Sequence, residues 1–509
     1  MSLNLVPLHQ NPETKNMSPD EEKRFISLQG SREDPDAENE SLSQRRLRYA
    51  LMTGIILGTT LGPQNDGICS TWPNVFASDI ETDRSTFFNT TLEVSDWQLD
   101  FMSSSYFIGT LPMIVASGML VPWLGRKWCM ILCTIPGVIG WSLIALSYNV
   151  TMILVGRFLC GAAHGLQGIA VRSYLAEVSD DRFRGAAGMT TEVMKGLGFI
   201  FIIALGISMP WYYTAVFSAC HFLLFGFVVA PCIPRSPSYL IVKGREEEAI
   251  EILRKLRGPY VDHRDMVRQL KKKNESTDGS AFWRIFFRPV ILKKYLIVAG
   301  LFFIANFSGV EVIRGNATRM LQTSGLAFDK DITTMIVFCV LLGGGISQIL
   351  VLDWIGRKKC LVASLVLLVV SYTLLGTYVF LNTEDVEMNV FELMQNSTVY
   401  DGSSFKTNNE WSWVPSLLLM TVAFGSSIGI GSIPWLLSTE YFPTTIRPQV
   451  LAICSITGNV TSIAALQLYS PLQALLTTAG LYWFYGTVSA LGLLFTSVFV
   501  YETKGISIG

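Results

Sequence analysis

Long apolar runs separated by short polar segments occupy most of this chain. A helix needs about twenty apolar residues to cross a hydrocarbon core of roughly 30 Å, and twelve runs meet that length. They cover approximately residues 50–76, 101–122, 128–147, 152–176, 187–209, 212–231, 295–320, 332–352, 360–381, 413–436, 449–472 and 478–501. The pattern predicts an all-α membrane protein with twelve transmembrane helices.

Composition agrees with this fold class. Half of the 509 residues are hydrophobic, only 16% are charged, and the mean hydropathy is +0.39, which excludes an ordinary soluble globular domain. The apolar composition makes a lipid bilayer the expected partner, and the formal net charge of −1 implies no nucleic-acid partner. Nothing in the sequence indicates a metal site, a cofactor or an enzyme.

A repeated motif divides the chain into two similar halves. Gly125-Arg126-Lys127 follows the second apolar run, and Gly356-Arg357-Lys358 follows the eighth. Tandem six-helix bundles of this kind form the two lobes of rocker-type carriers. The predicted organisation is a disordered tail (1–47), a first bundle (48–231), a helical linker (232–294), a second bundle (295–502) and a short tail (503–509).

The distribution of charge predicts the orientation in the membrane. If the spans alternate in direction, the Lys and Arg clusters fall on one side, which the positive-inside rule assigns to the cytosol. Both termini are then cytosolic. The long loops on the opposite side are acidic, and they carry the triplets Asn89-Thr90-Thr91 and Asn396-Ser397-Thr398, which are N-glycan acceptors. Asn89 and Asn396 therefore predict a glycoprotein of the plasma membrane.

Several motifs occur in a fixed order between residues 48 and 505. They are Gly156-Arg157 with Gly161 and Gly165, Glu177 followed by Arg184, Gly429-x-Gly431 leading to Pro434-Trp435, Glu440 followed by Arg447, and Glu502-Thr503-Lys504-Gly505. With the two Gly-Arg-Lys turns, they resemble the sugar-porter branch of the major facilitator superfamily. The resemblance implies a monomeric carrier that moves a sugar, such as a hexose or trehalose, by alternating access.

The resemblance also implies a latch at the cytosolic gate. Its expected members pair across the two halves when that gate is shut: Arg126, Lys127, Glu177, Arg184, Arg235, Asp353, Arg357, Lys358, Glu440 and Arg447. The alternative is that the cations only enforce topology. One member departs from the family, because Arg235 stands where the family sequence Pro-Glu-Ser-Pro-Arg has Glu.

The expected pocket departs further from the family. Sugar hydroxyls both donate and accept hydrogen bonds, so their pockets favour Gln and Asn, whereas this chain places Glu192 and Glu311 at two of those amide positions. Trp435, which would stack on a sugar face, remains unchanged. The candidate substrate-binding residues carried over from the family are Glu192, Asn306, Glu311, Ser427, Trp435 and Asn459.

Charged side chains inside the spans form a second candidate set. Such groups are costly in a bilayer and generally face a polar cavity. The candidates for a proton or charge relay are Asp66, Arg157, Arg172, Lys195 and Arg314. Spacing of three residues predicts the pairs Glu192–Lys195 and Glu311–Arg314. These groups bind a proton, hold an anionic or zwitterionic solute, or neutralise one another.

Two further questions stay open on sequence alone. Gln64 stands where proton-coupled relatives have Asp, which favours a facilitative carrier, although Asp66 would serve if the helix unwinds near Gly62-Pro63. His164 and His221 lie in apolar runs and are expected to be packed and neutral. The alternatives to a sugar carrier are a carrier of a charged or amphiphilic solute, and a membrane sensor that binds solute without transporting it.

Overall fold

The computed structural model describes residues 42–178, 184–257, 279–323, 329–395, 411, 413–443 and 446–503. Within these ranges the chain is helical, and β-pairing is limited to an isolated bridge between Ser85 and Thr91. The predicted all-α fold is confirmed. Most of the predicted tail 1–47 lies outside the described residues, as do 504–509, while the first helix begins at Leu42, earlier than the expected 48.

Six spans form the first half. They are α1 (Leu42–Thr82), α2 (Asp96–Leu124), α3 (Arg126–Ala145), α4 (Val150–Val178), α5 (Arg184–Ser208) and α6 (Trp211–Cys232). Helix α3 passes through Cys133, whose backbone angles remain helical (φ −65°, ψ −19°). Helix α2 begins with a capping box in which the side chain of Gln98 accepts from the backbone N–H of Ser95 at 2.9 Å, which satisfies a donor that a helix start leaves unpaired.

The linker and the second half follow in order. The linker contains α7 (Pro237–Val242), α8 (Glu246–Arg257) and α9 (Gly279–Phe286). The second half contains α10 (Pro289–Phe307), α11 (Val310–Gln322), α12 (Lys330–Ile355), α13 (Arg357–Gln395), α14 (Val414–Ile428), α15 (Ile433–Glu440), α16 (Arg447–Gln467) and α17 (Tyr469–Phe499). Helix α8 begins with three glutamates, which favour a helix N-terminus, and it packs Leu253 against Leu240 and Ile241 of α7.

The count of spans agrees with the prediction. Eleven spans in the described part of the chain are long and apolar enough to cross a membrane. The twelfth is α1, which has 41 residues but holds buried polar side chains such as Asn65 and Asp66. It packs against α4, α5 and α6, so its polar residues face other helices of the bundle.

Helix breaks differ from the prediction. The seventh span divides into α10 and α11 at Gly309, whose φ of 84° is accessible mainly to glycine. The tenth span divides into α14 and α15 after Gly429, where a Cβ would clash with Ser364. The unwinding near Gly62-Pro63 that would bring Asp66 into the proton-coupling position does not occur in this structure, because α1 continues through Pro63 and Pro73 without interruption.

The two halves meet along three pairs of helices. Helix α1 packs against α11, α2 against α16, and α5 against α12. We call the end of the bundle that carries Arg126 and Arg357 the terminal face, because the first span begins and the last span ends there. We call the opposite end, which carries Asp100 and Lys330, the loop face.

Candidate solute pathway

A buried ion pair joins the halves at the loop face. Arg319 of α11 places Nη1 2.7 Å from Oδ1 of Asp100 of α2, and Asp100 is fully buried. The second carboxylate oxygen accepts from the backbone N–H of Ser470 at 2.9 Å, and the guanidinium lies 5.0 Å from the ring centre of Tyr469. The sequence did not predict this pair, although Arg319 is a cation inside an apolar run.

Further contacts close the same face between α1 and the second half. Asn74 donates to the backbone carbonyl of Arg314 at 2.8 Å and accepts from the backbone N–H of Thr318 at 3.0 Å. Lys330 lies 3.3 Å from Glu81. Together with the Arg319 pair, these bonds hold the loop-face ends of the halves together.

At the terminal face, the described ion pairs form inside each half. Arg126 lies 2.6 Å from Glu177 in the first half, and Arg357 lies 2.9 Å from Glu440 in the second. Ser236 donates to Glu177, and Thr503 donates to Glu440. These latch residues therefore pair within their own halves in this structure, whereas the predicted pairing across the halves concerns the state in which that gate is shut.

The other described latch candidates contact neighbouring backbone or the linker. Lys358 donates to the carbonyl of Ser497 at 2.8 Å, and Nε of Arg447 donates to the carbonyl of Phe442 at 3.2 Å. Arg235 approaches Glu248 at 4.0 Å, and Lys127 lies half-buried beside it. The side chains of the latch candidates Arg184 and Asp353 lie outside what the structure describes. The glycosylation candidate Asn396 lies outside the described residues altogether.

Asp66 is the centre of a polar cluster made by four helices. Its carboxylate lies 2.7 Å from Nζ of Lys195 on α5 and 3.3 Å from Nδ1 of His164 on α4, and it accepts from the hydroxyl of Tyr106 on α2. The side chains of Lys195 and His164 are 26% and 24% exposed. The cluster is thus partly exposed at Lys195 and His164 yet internally paired.

Close packing of α1 against α5 explains this pairing. A Cβ on Gly67 would clash with the carbonyl of Lys195, and a Cβ on Gly198 would clash with the carbonyl of Gln64. Only glycine allows the two backbones to approach this closely. The predicted pair Glu192–Lys195 was wrong, because Lys195 turns to Asp66 while Glu192 is exposed on α5.

Arg157 does not act on Asp66 directly. It is fully buried, donates from Nε to the carbonyl of Met102 at 3.1 Å and from Nη1 to the carbonyl of Cys69, and lies over the rings of Trp72 and Tyr106. These contacts tie α4 to α1 and α2. A structural role accounts for all of them.

The predicted pair Glu311–Arg314 is confirmed. Nη1 of Arg314 lies 2.8 Å from Oε2 of Glu311, and the two side chains are 18% and 10% exposed. The break at Gly309 starts a new helix immediately before this pair. The pair therefore lies at the middle of the seventh span, where the halves face each other.

Three amide and hydroxyl candidates are occupied within the second half. Asn306 donates to Thr461 at 2.7 Å and accepts from Ser462 at 3.1 Å. Asn459 donates to the carbonyl of Ser455, and Ser427 donates to that of Ala423. All three candidates are buried, so a solute that uses them must exchange existing hydrogen bonds.

Trp435 combines an aromatic face with a nearby cation. Its ring packs edge-on to Phe302, with ring centres 4.7 Å apart, and it remains half-buried. The guanidinium of Arg172, on α4 of the other half, lies 6.0 Å from the centre of that ring. Arg172 is exposed, so this contact faces the space between the halves on the terminal side of the loop-face closure.

Most charges of this central region are paired with one another. Asp66 pairs with Lys195 and Glu311 with Arg314, while the cation of Arg157 is bound to backbone carbonyls. No group of three or more metal-ligating side chains occurs in the part of the chain that the structure describes. The arrangement is suited to binding a solute by stacking and hydrogen bonds without covalent chemistry.

Comparison with known proteins decides the family. A family model described as "Sugar (and other) transporter" matches residues 64–508. The chain belongs to the sugar-porter family of the major facilitator superfamily. This sugar porter is therefore a transmembrane solute carrier and not an enzyme, as the sequence indicated.

Curated relatives agree in function class. The chain is 26% identical over 467 residues to the facilitated trehalose transporter Tret1 of Apis mellifera ligustica, covering 91% of this chain and 88% of that protein. It is 26% identical over 423 residues to Tret1 of Bombyx mori, covering 82% and 79%.

Solved structures agree in fold. The inward open conformation of the xylose transporter XylE from E. coli superposes with a TM-score of 0.70 at 20% identity, covering 90% of this chain and 98% of that one. A second structure, of the proton:xylose symporter XylE bound to 6-bromo-6-deoxy-D-glucose, gives 0.69 at 20% identity, covering 91% and 98%. The twelve-helix sugar-porter fold is thus established for this chain.

Proposed function

We propose that this sugar porter carries a neutral, hydroxyl-rich solute of the hexose or disaccharide class by facilitated diffusion. The observation that carries the proposal is Trp435, a half-buried ring between the halves whose orientation is fixed by Phe302. Flat aromatic rings present large contact areas to the apolar faces of ligands. The trehalose carriers among its relatives support the same solute class.

The paired state of Asp66 supports facilitated diffusion without proton coupling. A carboxylate held by Lys195, His164 and Tyr106 already has partners for both oxygens. The ion pairs Asp66–Lys195 and Glu311–Arg314 neutralise their members within the central region, which favours a neutral solute as well. A net charge in the pathway would instead have favoured a counter-ion.

Uptake into vesicles tests this proposal. Purified protein in proteoliposomes is expected to accumulate labelled glucose, trehalose or xylose to equilibrium at the same initial rate with and without an imposed proton gradient. Trp435→Ala removes the stacking face and should lower uptake roughly five- to a hundredfold, because one stacking contact contributes on the order of 1–3 kcal/mol. Trp354→Ala is the matched control, since Trp354 is 86% exposed.

A second candidate function is supported by the exposed Arg172 beside Trp435. A cation at that place would bind the carboxylate of an anionic or zwitterionic solute. Uptake of an organic acid or amino acid that is abolished by Arg172→Gln would favour this second function. If no solute accumulates while a sugar still raises the melting temperature, both carrier functions are contradicted. The protein would then be a sensor that binds a sugar without transporting it.

Orientation and assembly belong to the same proposal. The terminal face is cytosolic and the loop face extracellular at the plasma membrane, which is supported by the distribution of cations and by Asn89, exposed in the loop between α1 and α2. The protein acts as a monomer, since the pathway lies between two halves of one chain. The structure then has its extracellular side closed by Asp100 and Arg319.

The latch keeps a conformational role in this proposal. The pairs Arg126–Glu177 and Arg357–Glu440 hold each half together at the terminal face. Rigid lobes let a small local change tilt a whole bundle, and a bias of only a few kcal/mol then selects a state. Breaking one pair should therefore alter transport rate more than solute affinity.

A further inference from the structure

The side chain of Asn74 on α1 takes part in the backbone hydrogen bonding of α11, a helix of the other half. Its Nδ2 donates to the backbone carbonyl of Arg314 at 2.8 Å, and its Oδ1 accepts from the backbone N–H of Thr318 at 3.0 Å. In a regular α-helix that N–H donates to that carbonyl, because the two residues are four apart. One amide from the first half therefore supplies both partners of a helical hydrogen bond in the second half.

Helix α11 is kinked between those two residues. Asn316 has φ −136° and ψ 23°, outside the helical range, and α11 contains no proline and no Gly-Ser pair. A side chain inserted among the backbone hydrogen bonds of a helix is a recognised cause of such a kink. The kink at Asn316 is therefore explained by the inserted amide of Asn74.

Asn74 is held in place by its own helix. It is 1% exposed, and its Nδ2 also donates to the backbone carbonyl of Thr71 at 3.1 Å. A carbonyl needs a donor and an N–H needs an acceptor, so the amide satisfies α11 in one orientation only. Asn74 thus moves with α1 and the first half, while the groups that it binds move with the second half.

The kinked form of α11 depends on this contact. The side chain of Asn316 is buried at the kink, and its Nδ2 has no hydrogen-bond acceptor among the residues that the structure describes. A buried donor without a partner destabilises the form that contains it. If Asn74 withdraws, the carbonyl of Arg314 and the N–H of Thr318 also lose their partners, and they regain them by bonding to each other in a regular helix.

The end of α11 beyond the kink carries contacts that close the loop face. Arg319 binds Asp100 of the first half at 2.7 Å, and Gln322 donates to Glu81 of the first half at 2.7 Å. A change in the direction of α11 at Asn316 displaces Arg319 and Gln322 from these partners. The shape of α11 and the closure of the loop face are thus linked through the backbone.

We propose that Asn74 is a positioning residue of the loop-face gate: its amide keeps α11 kinked, and the kink holds Arg319 on Asp100. When the halves separate at the loop face, Asn74 leaves α11, the helical hydrogen bond between Arg314 and Thr318 forms, and α11 straightens away from Asp100. Opening thereby exchanges one set of hydrogen bonds for another and leaves neither backbone group unpaired. This role is independent of which solute the carrier moves.

A structure of the Asn74→Leu variant in nanodiscs, determined by cryo-electron microscopy, tests the proposal directly. Leucine keeps the branched shape of asparagine but neither donates nor accepts a hydrogen bond. We expect a regular α11 in which the N–H of Thr318 donates to Arg314 and in which Arg319 is separated from Asp100. A kink that persists in the variant would overturn the proposal. Asn74→Ala carries the same expectation if leucine prevents folding.

Accessibility of the seam gives a second measurement. Ser103 lies beside Gly315 of α11, and labelling of Ser103→Cys by a membrane-impermeant maleimide should be about tenfold faster with Asn74→Leu. Thr318→Val is the matched control, because it removes the hydroxyl that lies 3.2 Å from that of Thr334 and keeps the N–H that Asn74 binds. Labelling with this control is expected at the wild-type rate. Equal rates with Asn74→Leu and Thr318→Val would contradict a role of the amide.

A double-mutant cycle distinguishes this role from that of an ordinary bond across the halves. If straightening of α11 already separates Arg319 from Asp100, Asp100→Asn should lower the melting temperature much less in the Asn74→Leu background than in the wild type. Independent bonds give additive losses. Additive losses would show that Asn74 and Arg319 act separately, and the proposed link through α11 would be wrong.

Discussion

Arg319 and Asp100 form a buried ion pair 2.7 Å long that connects the seventh span to the second, and so one half of the carrier to the other. Breaking such a pair is costly because it leaves a buried charge uncompensated. Rocking of the halves must separate these two side chains. The pair is therefore a determinant of how often the loop face opens.

Asp100→Asn should shift the protein toward a state open at the loop face. Loss of the pair costs about 3 kcal/mol in the closed state, which is on the order of a hundredfold in population. The reporter is Ser103→Cys, since Ser103 is buried at the seam beside Gly315. Its labelling by a membrane-impermeant maleimide should accelerate in the Asp100→Asn background.

Glu251→Gln is the matched control for that experiment. Glu251 pairs with Lys255 on the exposed surface of α8, far from the seam. Equal labelling rates in the Asp100→Asn and Glu251→Gln backgrounds would show that the ion pair does not hold the loop face closed.

Lys195 and Asp66 should show strong energetic coupling. Lys195→Met leaves the carboxylate of Asp66 without its nearest cation, so the melting temperature should fall, and Asp66→Asn in the same chain should recover most of the loss. A double-mutant cycle on thermal stability is expected to give roughly 1–3 kcal/mol. Glu192→Gln with Lys195→Met should be additive, and coupling there instead would restore the pairing expected from sequence.

Gly309→Ala should destabilise the break in the seventh span. The φ of 84° costs an alanine about 1–2 kcal/mol, and its Cβ would also meet the hydroxyl of Tyr372 at 2.6 Å. A drop in melting temperature is expected. Gly343→Ala is the control, because a Cβ there meets nothing within 4 Å and α12 is regular at that point; similar effects of the two changes would argue against strain at Gly309.

Glycosylation at Asn89 tests whether the loop face is extracellular. It is exposed with φ 55°, in a turn where its N–H donates to the carbonyl of Thr86 at 2.9 Å. Expression in a glycosylating cell should give a band that shifts on treatment with a glycosidase, and Asn89→Gln should remove all or part of that shift. A band without glycan at either Asn89 or Asn396 would contradict an extracellular loop face.

Local patterns in the sequence predicted what depends on neighbours along the chain. The twelve apolar runs, the duplicated Gly-Arg-Lys turns and the Glu311–Arg314 pair all follow from spacing within one element, and the structure agrees with each. The short helix α8 was predicted from the same kind of pattern, namely acids in the first turn followed by cations.

Contacts between distant elements could not be predicted in this way. Lys195 has two carboxylates within reach of its long side chain, and the choice of Asp66 follows from the glycine contact between α1 and α5. Asp100 stands at the edge of an apolar run and was left out of the candidate set, because nothing local shows that Arg319 will face it. The pairing of latch residues within each half likewise depends on how the spans pack.

The contact of Gly67 and Gly198 with the opposite backbones also limits what can move. Helices in direct main-chain contact leave little space for sliding past each other, so we expect the first and fifth spans to move together. Asp66 and Lys195 are then expected to stay paired through a transport cycle. The surface that α1 and α5 present to a bound solute then stays constant. Changes in the solute's surroundings come from movement of the second half relative to this surface.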